Sequence, residues 1–538
     1  MKSTMTKSIT RIFLFFLCFL PFQRIQAASD QERGGDRIIF GTIGEASNLI
    51  PYLSTDSASH EIADLIFVAP LRYNKDLEPE PWAAESWEIE DNGKKMRFRL
   101  RPGILWEDGK ELTAWDVEFT WKIVTDPATA SPYAEDFLQV REFRVIDKYS
   151  FEVSYDSFVA RAVASWMNPI LPKHVLEGQN IRSTPFSRKP IGAGPYKMKE
   201  WQPGASITLS ASETYFEGKP DIAEVVYRII PDDSTMFMET RAERLDVMNL
   251  NPLQYLRQTN SEWWTEHYNK FRYLASVYIF LGFNLEHPFF SDVRVRRAIS
   301  MAINRDALVA GALLGQGVAA VGPYKPGSWA HHPTLSPVAQ NQAEACRLLE
   351  EAGFSRTDKG KWQKNGRELA FTVLVNQGNE QRILTATLIQ QQLAEIGVHT
   401  NIRTVEWAAF IREFVNKGLF DAVILGWTIT QDPDIFQIWH STHAHDGGLN
   451  FIHYRNEEVD RILEEARATP DQSKRSALYA RLQEILHAEQ PYCFLFVPYA
   501  LPIVQKRFQG IKPALAGIMY NFDKWYVPAE RQKYFVTP

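Results

Sequence analysis

From Leu369 onward the chain alternates strand and helix patterns with little between them, and no other feature constrains its architecture as strongly. LAFTVLV reads as a buried strand, and Glu380 to Ile396 as a helix with Ile389, Leu393 and Ile396 on one face and Gly397 as its stop. Val398 to Thr404 is a second strand, Trp407 to Lys417 a second helix, and Ala422 to Gly426 a third strand. Such alternation builds a largely parallel sheet covered by helices, so the fold class is α/β. Upstream, Asp292 is placed to cap a helix carrying Val295, Ala298, Ile299 and Ala302, and Ala345 to Ala352 form another, closed by Gly353.

The stretch FDAVILGWTITQDPDIFQIWHS, Phe420 to Ser441, is where binding chemistry concentrates. Asp432-Pro433 supplies an N-cap and an N1 proline for a helix. Between strand and helix lie Gly426, Trp427, Thr428 and Thr430. An aromatic ring and hydroxyls at the carboxyl end of an α/β strand, ahead of a helix N-terminus, occupy the place where open sheets bind ligands.

At the other end, Lys2, Lys7 and Arg11 precede the apolar run Ile12 to Phe22, and Ala27-Ala28 follow. Eleven apolar residues fall short of the roughly 30 Å hydrocarbon layer, so residues 1–28 read as a secretory signal. Leu17 stands where a lipoprotein signal needs a small residue, which argues against a lipid on Cys18. Losing Lys2, Lys7, Arg11 and Arg24 with the signal takes the formal charge from −6 to −10. That balance, with no basic stripe interleaved with aromatics, argues against nucleic acid. Some 510 remaining residues imply several domains. Cys346 and Cys493 either pair or stay as free thiols.

Arg37 to Thr42 is a strand, followed by a polar loop from Asn48 to Ser59 and a helix through Ile62, Leu65 and Ile66 that Ser59 can cap. A β-rich region comes next: a hairpin turning at Asp91-Asn92-Gly93, a helix capped by Thr113, and strands at Phe143 to Asp147 and Phe151 to Tyr155.

In order, NLIPYL, WEDGKELTAWDVEFTW, PIGAGPYKM (Pro190 to Met198) and VRRAISMAINRDALV (Val293 to Val309) run through the chain. This succession resembles the extracytoplasmic solute-binding proteins of family 5, the peptide and nickel class that serves ABC importers. The resemblance spans essentially the whole chain after the signal. It implies a bilobed, type II periplasmic-binding-protein fold. Lobe 1 would comprise 29–67, 190–285 and 501–538 with a β-rich domain at 68–189; lobe 2 would be 286–500. Phe283-Asn284-Leu285 and Val497-Pro498-Tyr499 are then the expected hinge strands.

The same resemblance implies a cargo held between the lobes and handed to the transmembrane subunits of a permease. Peptide binders of the family place an amino-terminus-gripping Asp at the position of Thr430, and dipeptide binders place a carboxylate-gripping Arg and Tyr at the positions of Asn376 and Gly378. With both charged anchors missing, a dipeptide held by its termini is disfavoured, and an oligopeptide is expected. Asp432 either replaces the lost carboxylate or caps a helix. Trp427 and Trp407 fall at pocket tryptophans of oligopeptide binders, with core packing the alternative for each. Asn48, Thr55, Asp56 and Ser57 would face them from lobe 1.

Other readings stay open: an oligosaccharide or metal chelate as cargo, and a secreted hydrolase as a different class. No G-x-S-x-G, H-E-x-x-H or G-x-x-x-x-G-K motif occurs. His440, His443 and His445 match no metal-ligand spacing and read as surface histidines beside Gly447-Gly448, so neither metal nor cofactor is expected. No heptad seam points beyond a monomer.

Overall fold

The computed structural model describes residues 35–429 and 432–534, so the signal, Thr430 and Gln431 lie outside the described residues. The first strand, β1 (Gly35–Thr42), leads through a polar loop to helix α1 (Ser57–Ile66). Asp56, not Ser59, caps this helix: its carboxylate accepts the Ser59 amide at 2.9 Å and the Ser59 hydroxyl at 2.8 Å. Ser59, Ile62, Ala63 and Ile66 are the face α1 buries.

The β-rich region is an antiparallel sheet of β2 (Ala84–Glu90), β3 (Lys95–Leu100), β4 (Val140–Val145) and β5 (Ser150–Tyr155), ordered β2-β3-β5-β4. Asp91, Asn92 and Gly93 all take positive φ, so the Asp-Asn-Gly sequence makes the predicted tight turn. Phe151 stacks between Phe98 and Phe143, with ring centroids at 4.8 and 5.0 Å, and anchors this small core.

The chain then adds β6 (Tyr196–Gln202), β7 (Ser206–Ala211) and β8 (Ile222–Ile229), followed by α2 (Asp233–Arg241), β9 (Val247–Asn249) and β10 (Tyr268–Lys270). It crosses to the second lobe with β11 (Tyr273–Leu274) and β12 (Val277–Phe283). That lobe continues through α3 (Val293–Ala302), β13 (Gly317–Ala319), α4 (Gln342–Glu351), β14 (Ala370–Asn376), α5 (Glu380–Glu395), β15 (His399–Val405) and β16 (Ala422–Thr428). Helices α6 (Phe436–Trp439), α7 (Glu457–Ala468) and α8 (Gln472–Glu489) precede β17 (Tyr492–Ala500), and β18 (Pro502–Gln505) returns to the first lobe.

The first sheet has the order β10-β18-β9-β1-β8-β7-β6 and the second β11-β17-β12-β16-β14-β15, with β13 on β17. The second sheet is mixed rather than largely parallel: β14 runs parallel to β15 and β16, but β12 is antiparallel to both β16 and β17. Side chains alternate through it. Ile279, Leu281 and Ile424 enter the core on one face, and Tyr278, Phe280, Val423 and Leu425 the core on the other.

The crossing corrects the expected hinge. Phe283-Asn284-Leu285 sits at the far end of β12, where the Asn284 amide donates to the carbonyls of Gly418 and Phe420 and the Leu285 amide to that of Ile452. The chain passes between sheets at 271–272 and again at 501, so the boundary expected at 285 lies two strands late. The two passages remain paired with each other: Lys270 opposes Ile503, Tyr273 opposes Ala500, and the Phe271 amide bonds the Pro502 carbonyl at 2.9 Å. The Arg272 guanidinium lies 3.7 Å from the Tyr499 ring centroid. Only the C-terminal half of the expected Val497–Tyr499 segment therefore adjoins the crossing.

The lobes meet in a closed arrangement. The Ser234 hydroxyl and the Asn251 amide donate to the Glu380 carboxylate at 2.7 and 3.2 Å, and the Ala160 amide bonds the Arg467 carbonyl at 2.7 Å. Gly378 has φ +81°, and a Cβ there would lie 1.6 Å from the Pro231 carbonyl oxygen across the seam. Gly378→Ala is therefore expected to block closure: scattering with saturating ligand retains the open radius, and calorimetry shows affinity reduced by at least about tenfold, about 1.4 kcal/mol.

Candidate functional site

Strand β16 has two unequal edges. Along β12 it is paired throughout, from Val277 opposite Thr428 to Phe283 opposite Ala422. Along β14 it is paired only at Ala422 and Val423, beyond which the two parallel strands part. Ile424 and Leu425 are buried, so only Gly426 to Thr428, half-buried to exposed, form an edge with no partner strand on that side, at the carboxyl end of β16. An extended chain can add to such an edge through main-chain hydrogen bonds. Gly426 makes the β12 side close-fitting, since a Cβ there would lie 2.8 Å from Ile279 Cδ1 and 3.1 Å from the Tyr278 carbonyl oxygen.

Trp427 is half-buried. Its ring packs on Phe451 at 5.7 Å, and its indole N–H donates to the Tyr492 hydroxyl at 3.1 Å, so part of it belongs to the lobe 2 core. Thr428, the last residue of the strand, is exposed. Trp407, also half-buried, stands at the seam: a Cβ on Gly44 of lobe 1 would lie 2.6 Å from its ring. Its buried indole nitrogen has no hydrogen-bond partner.

Asn376 ends β14 and is fully buried. Its side-chain oxygen accepts from the Arg382 guanidinium at 2.8 Å, so it orients that cation and has no surface of its own for a ligand. From lobe 1, the Thr55 hydroxyl reaches Asn416 across the seam at 3.4 Å. Ser57 is exposed, but Asn48 and Asp56 are committed locally, Asn48 to the Ile50 amide and Asp56 to its capping bonds with Ser59.

Two expectations near the site are overturned. Asp432-Pro433 opens no helix; α6 starts three residues later, with the Asp434 carboxylate accepting the Phe436 amide, while Asp432 pairs with Arg475 at 3.1 Å. His440 and His443 are not surface residues: both are buried, and His440 stacks on Phe436 at 3.9 Å. Burial, with Arg467 next in weight, pushes His443 down to about 4 and keeps its imidazole neutral. Among the described residues, no group of three His, Cys, Asp or Glu is arranged to hold a metal ion. Cys346 and Cys493 are free thiols.

Gly44, Asp233 and Arg382 went unremarked in the sequence and Glu380 was read only as a helix start; each matters through a partner more than a hundred residues away or through a missing one, for which the sequence carries no local signal. Asp233 receives the Glu380 amide across the seam, yet burial first and the Glu380 carboxylate second push it up to about 6.

The family model of bacterial extracellular solute-binding proteins, family 5 (middle region), matches residues 78–448. The chain belongs to this family. A family relative, the oligopeptide-binding protein AppA of Bacillus subtilis (strain 168), is 30% identical over 518 residues, covering 93% of each chain. The solved structure of that protein in complex with a nonapeptide superposes with a TM-score of 0.88 at 29% identity, covering 92% of this chain and 99% of the other. NikZ from Campylobacter jejuni in complex with Ni(L-His) gives 0.84 at 25% identity, covering 91% and 99%. These neighbours establish the bilobed binding-protein fold for a chain whose family is made of solute-binding proteins.

Two outcomes are expected. A carboxyl raised in the folded state stabilises it below the ordinary range near 4, and that contribution is lost as pH rises through about 6. Between pH 7 and pH 5 the wild type should therefore gain about 1 to 3 °C in melting temperature that Asp233→Asn does not gain. Trp427→Ala should weaken ligand binding by about 1 to 3 kcal/mol in calorimetry on the folded protein, whereas a melting collapse with unchanged affinity would assign the ring wholly to the core.

Proposed function

We propose that the protein is the extracytoplasmic receptor of an ABC importer, capturing peptides longer than two residues between its lobes and passing them to a membrane permease without chemical change. The observation that carries this reading is the partly exposed edge of β16 at Gly426 to Thr428, which suits an extended backbone of any sequence. Backbone pairing gives affinity without dictating side chains, and Trp427 and Trp407 add flat apolar surface beside it. The nonapeptide held by the AppA relative, of the same fold, supports the same cargo class. The signal read at residues 1–28 supports export, and a monomer suffices for the role.

Thr430 carries no charge, and Asp432, paired with Arg475, offers no free charge to a peptide amino terminus. Recognition of that end accordingly rests on neutral hydrogen bonds, which contribute about 0.5 to 1.5 kcal/mol each. Mass spectrometry of the material that co-purifies with the closed protein should find peptides of three or more residues; a sugar or a metal chelate in their place would overturn the peptide reading. For any peptide found, calorimetry should show that amino-terminal acetylation changes affinity by less than tenfold, about 1.4 kcal/mol. A hundredfold loss would reveal a carboxylate anchor for the amino group.

A further inference from the structure

Among the described residues, most buried or half-buried arginines are matched by carboxylates or carbonyls. Arg467 pairs with Asp434 at 2.8 Å and Glu135 at 3.4 Å, Arg475 with Asp432, and Arg507 with Asp36 and Asp246. Arg305, with no carboxylate, fills its donors with the carbonyls of Phe494, Val338 and Ser300 and the Ser300 hydroxyl. Arg382 differs. Of the five N–H groups a guanidinium carries, one is used, by Asn376 at 2.8 Å. The Trp407 ring centroid lies 6.0 Å away, and no carboxylate among the described residues pairs with it.

The location of Arg382 gives the mismatch its meaning. It lies in the first turn of α5, whose leading residue, Glu380, is bonded to Ser234 and Asn251 of the other lobe. The Trp407 ring beside it touches lobe 1 at Gly44. Asn376, which holds it, ends the strand that parts from β16 after Val423. A cation with open donors is thus fixed at the seam, beside the site. Its surroundings lower its pKa to about 10, so it remains charged at neutral pH, and the half-buried side chain keeps its open donors accessible. A planar fork of donors matches a carboxylate two bonds at a time.

We infer that Arg382, oriented by Asn376, is the anchor for a carboxylate of the bound cargo. Resting on the peptide reading above, this makes recognition polar in direction: the amino end is held by neutral contacts and the acidic group by Arg382. The carboxylate has two sources, the carboxyl terminus or an Asp or Glu side chain.

Three pools of N-acetylated random pentapeptides without other acidic residues distinguish them: carboxyl-ended, carboxamide-ended, and carboxamide-ended with one internal Glu. By native mass spectrometry, the wild type should bind a carboxylate-bearing pool at least about thirtyfold more tightly than the plain carboxamide pool. Arg382→Gln should bind all three at the carboxamide level with an unchanged melting temperature, and Arg382→Lys should recover part of the preference. Preference for the carboxyl-ended pool names the terminus, and preference for the Glu pool names a side chain. A preference that survives in Arg382→Gln, or a wild type indifferent to every carboxylate, overturns the inference. If no pool binds, the peptide reading fails. The inference is then decided on wild-type protein by whether millimolar N-acetylglycine, but not N-acetylglycinamide, protects Arg382 from phenylglyoxal; absence of protection overturns it.

Discussion

The architecture depends on one short antiparallel ribbon. Where the chain leaves the first sheet and where it comes back, the two passages are hydrogen-bonded to each other, Lys270 to Ile503 on one side and Tyr273 to Ala500 on the other. Two covalent crossings tied into a single ladder resist shear and separation but tolerate bending, because a two-stranded ribbon is the most easily twisted form of sheet. Any relative movement of the lobes would be guided about this one line. Everything else at the seam, from Thr55 and Asn416 to Ser234 and Glu380, can then be made and broken together.

Much of this frame was legible in the sequence because it is written in local periodicity. The Asp-Asn-Gly turn, the strand at Ala422 and the helix from Glu380 announce themselves within a few residues. Resemblance to the family supplied the two-lobed plan. The misplaced hinge came from reading a chain boundary where only a pairing pattern decides: Phe283 ends a strand either way, and only its ladder to Ala422 assigns it to the second lobe. Asp432-Pro433 carried a sound helix-start signal, but the Arg475 ion pair holds Asp432 in the turn before α6. The buried histidines were misjudged for a similar reason, since the stacking of His440 on Phe436 is tertiary and leaves no mark on their spacing.

The site was legible in part. Gly426 and Trp427 stand at the strand end the sequence indicates, and Trp407 at the seam. What no local pattern conveys is how far two parallel strands stay together, or which charge lacks a counterpart. The divergence of β14 and β16 after Val423 and the unmatched guanidinium of Arg382 are properties of placement. Asn376 shows the link between the two kinds of information. As a sequence position it stands, by the family resemblance, where dipeptide binders carry an arginine, and in three dimensions it bonds an arginine from the next helix.

The approach of Gly378 to Pro231 has a consequence for the molecule as a carrier. Because that meeting is backbone against backbone, with no side chain between, it acts as a mechanical stop whose position is independent of what lies in the cleft. A cargo small enough to let the stop engage leaves the exterior identical whichever residues it carries, and one too bulky holds the jaws ajar. Lobes with such a stop would work as a calliper, reporting whether the contents fit and concealing what they are. A receptor open to many sequences can in this way present a single outline to whatever inspects it.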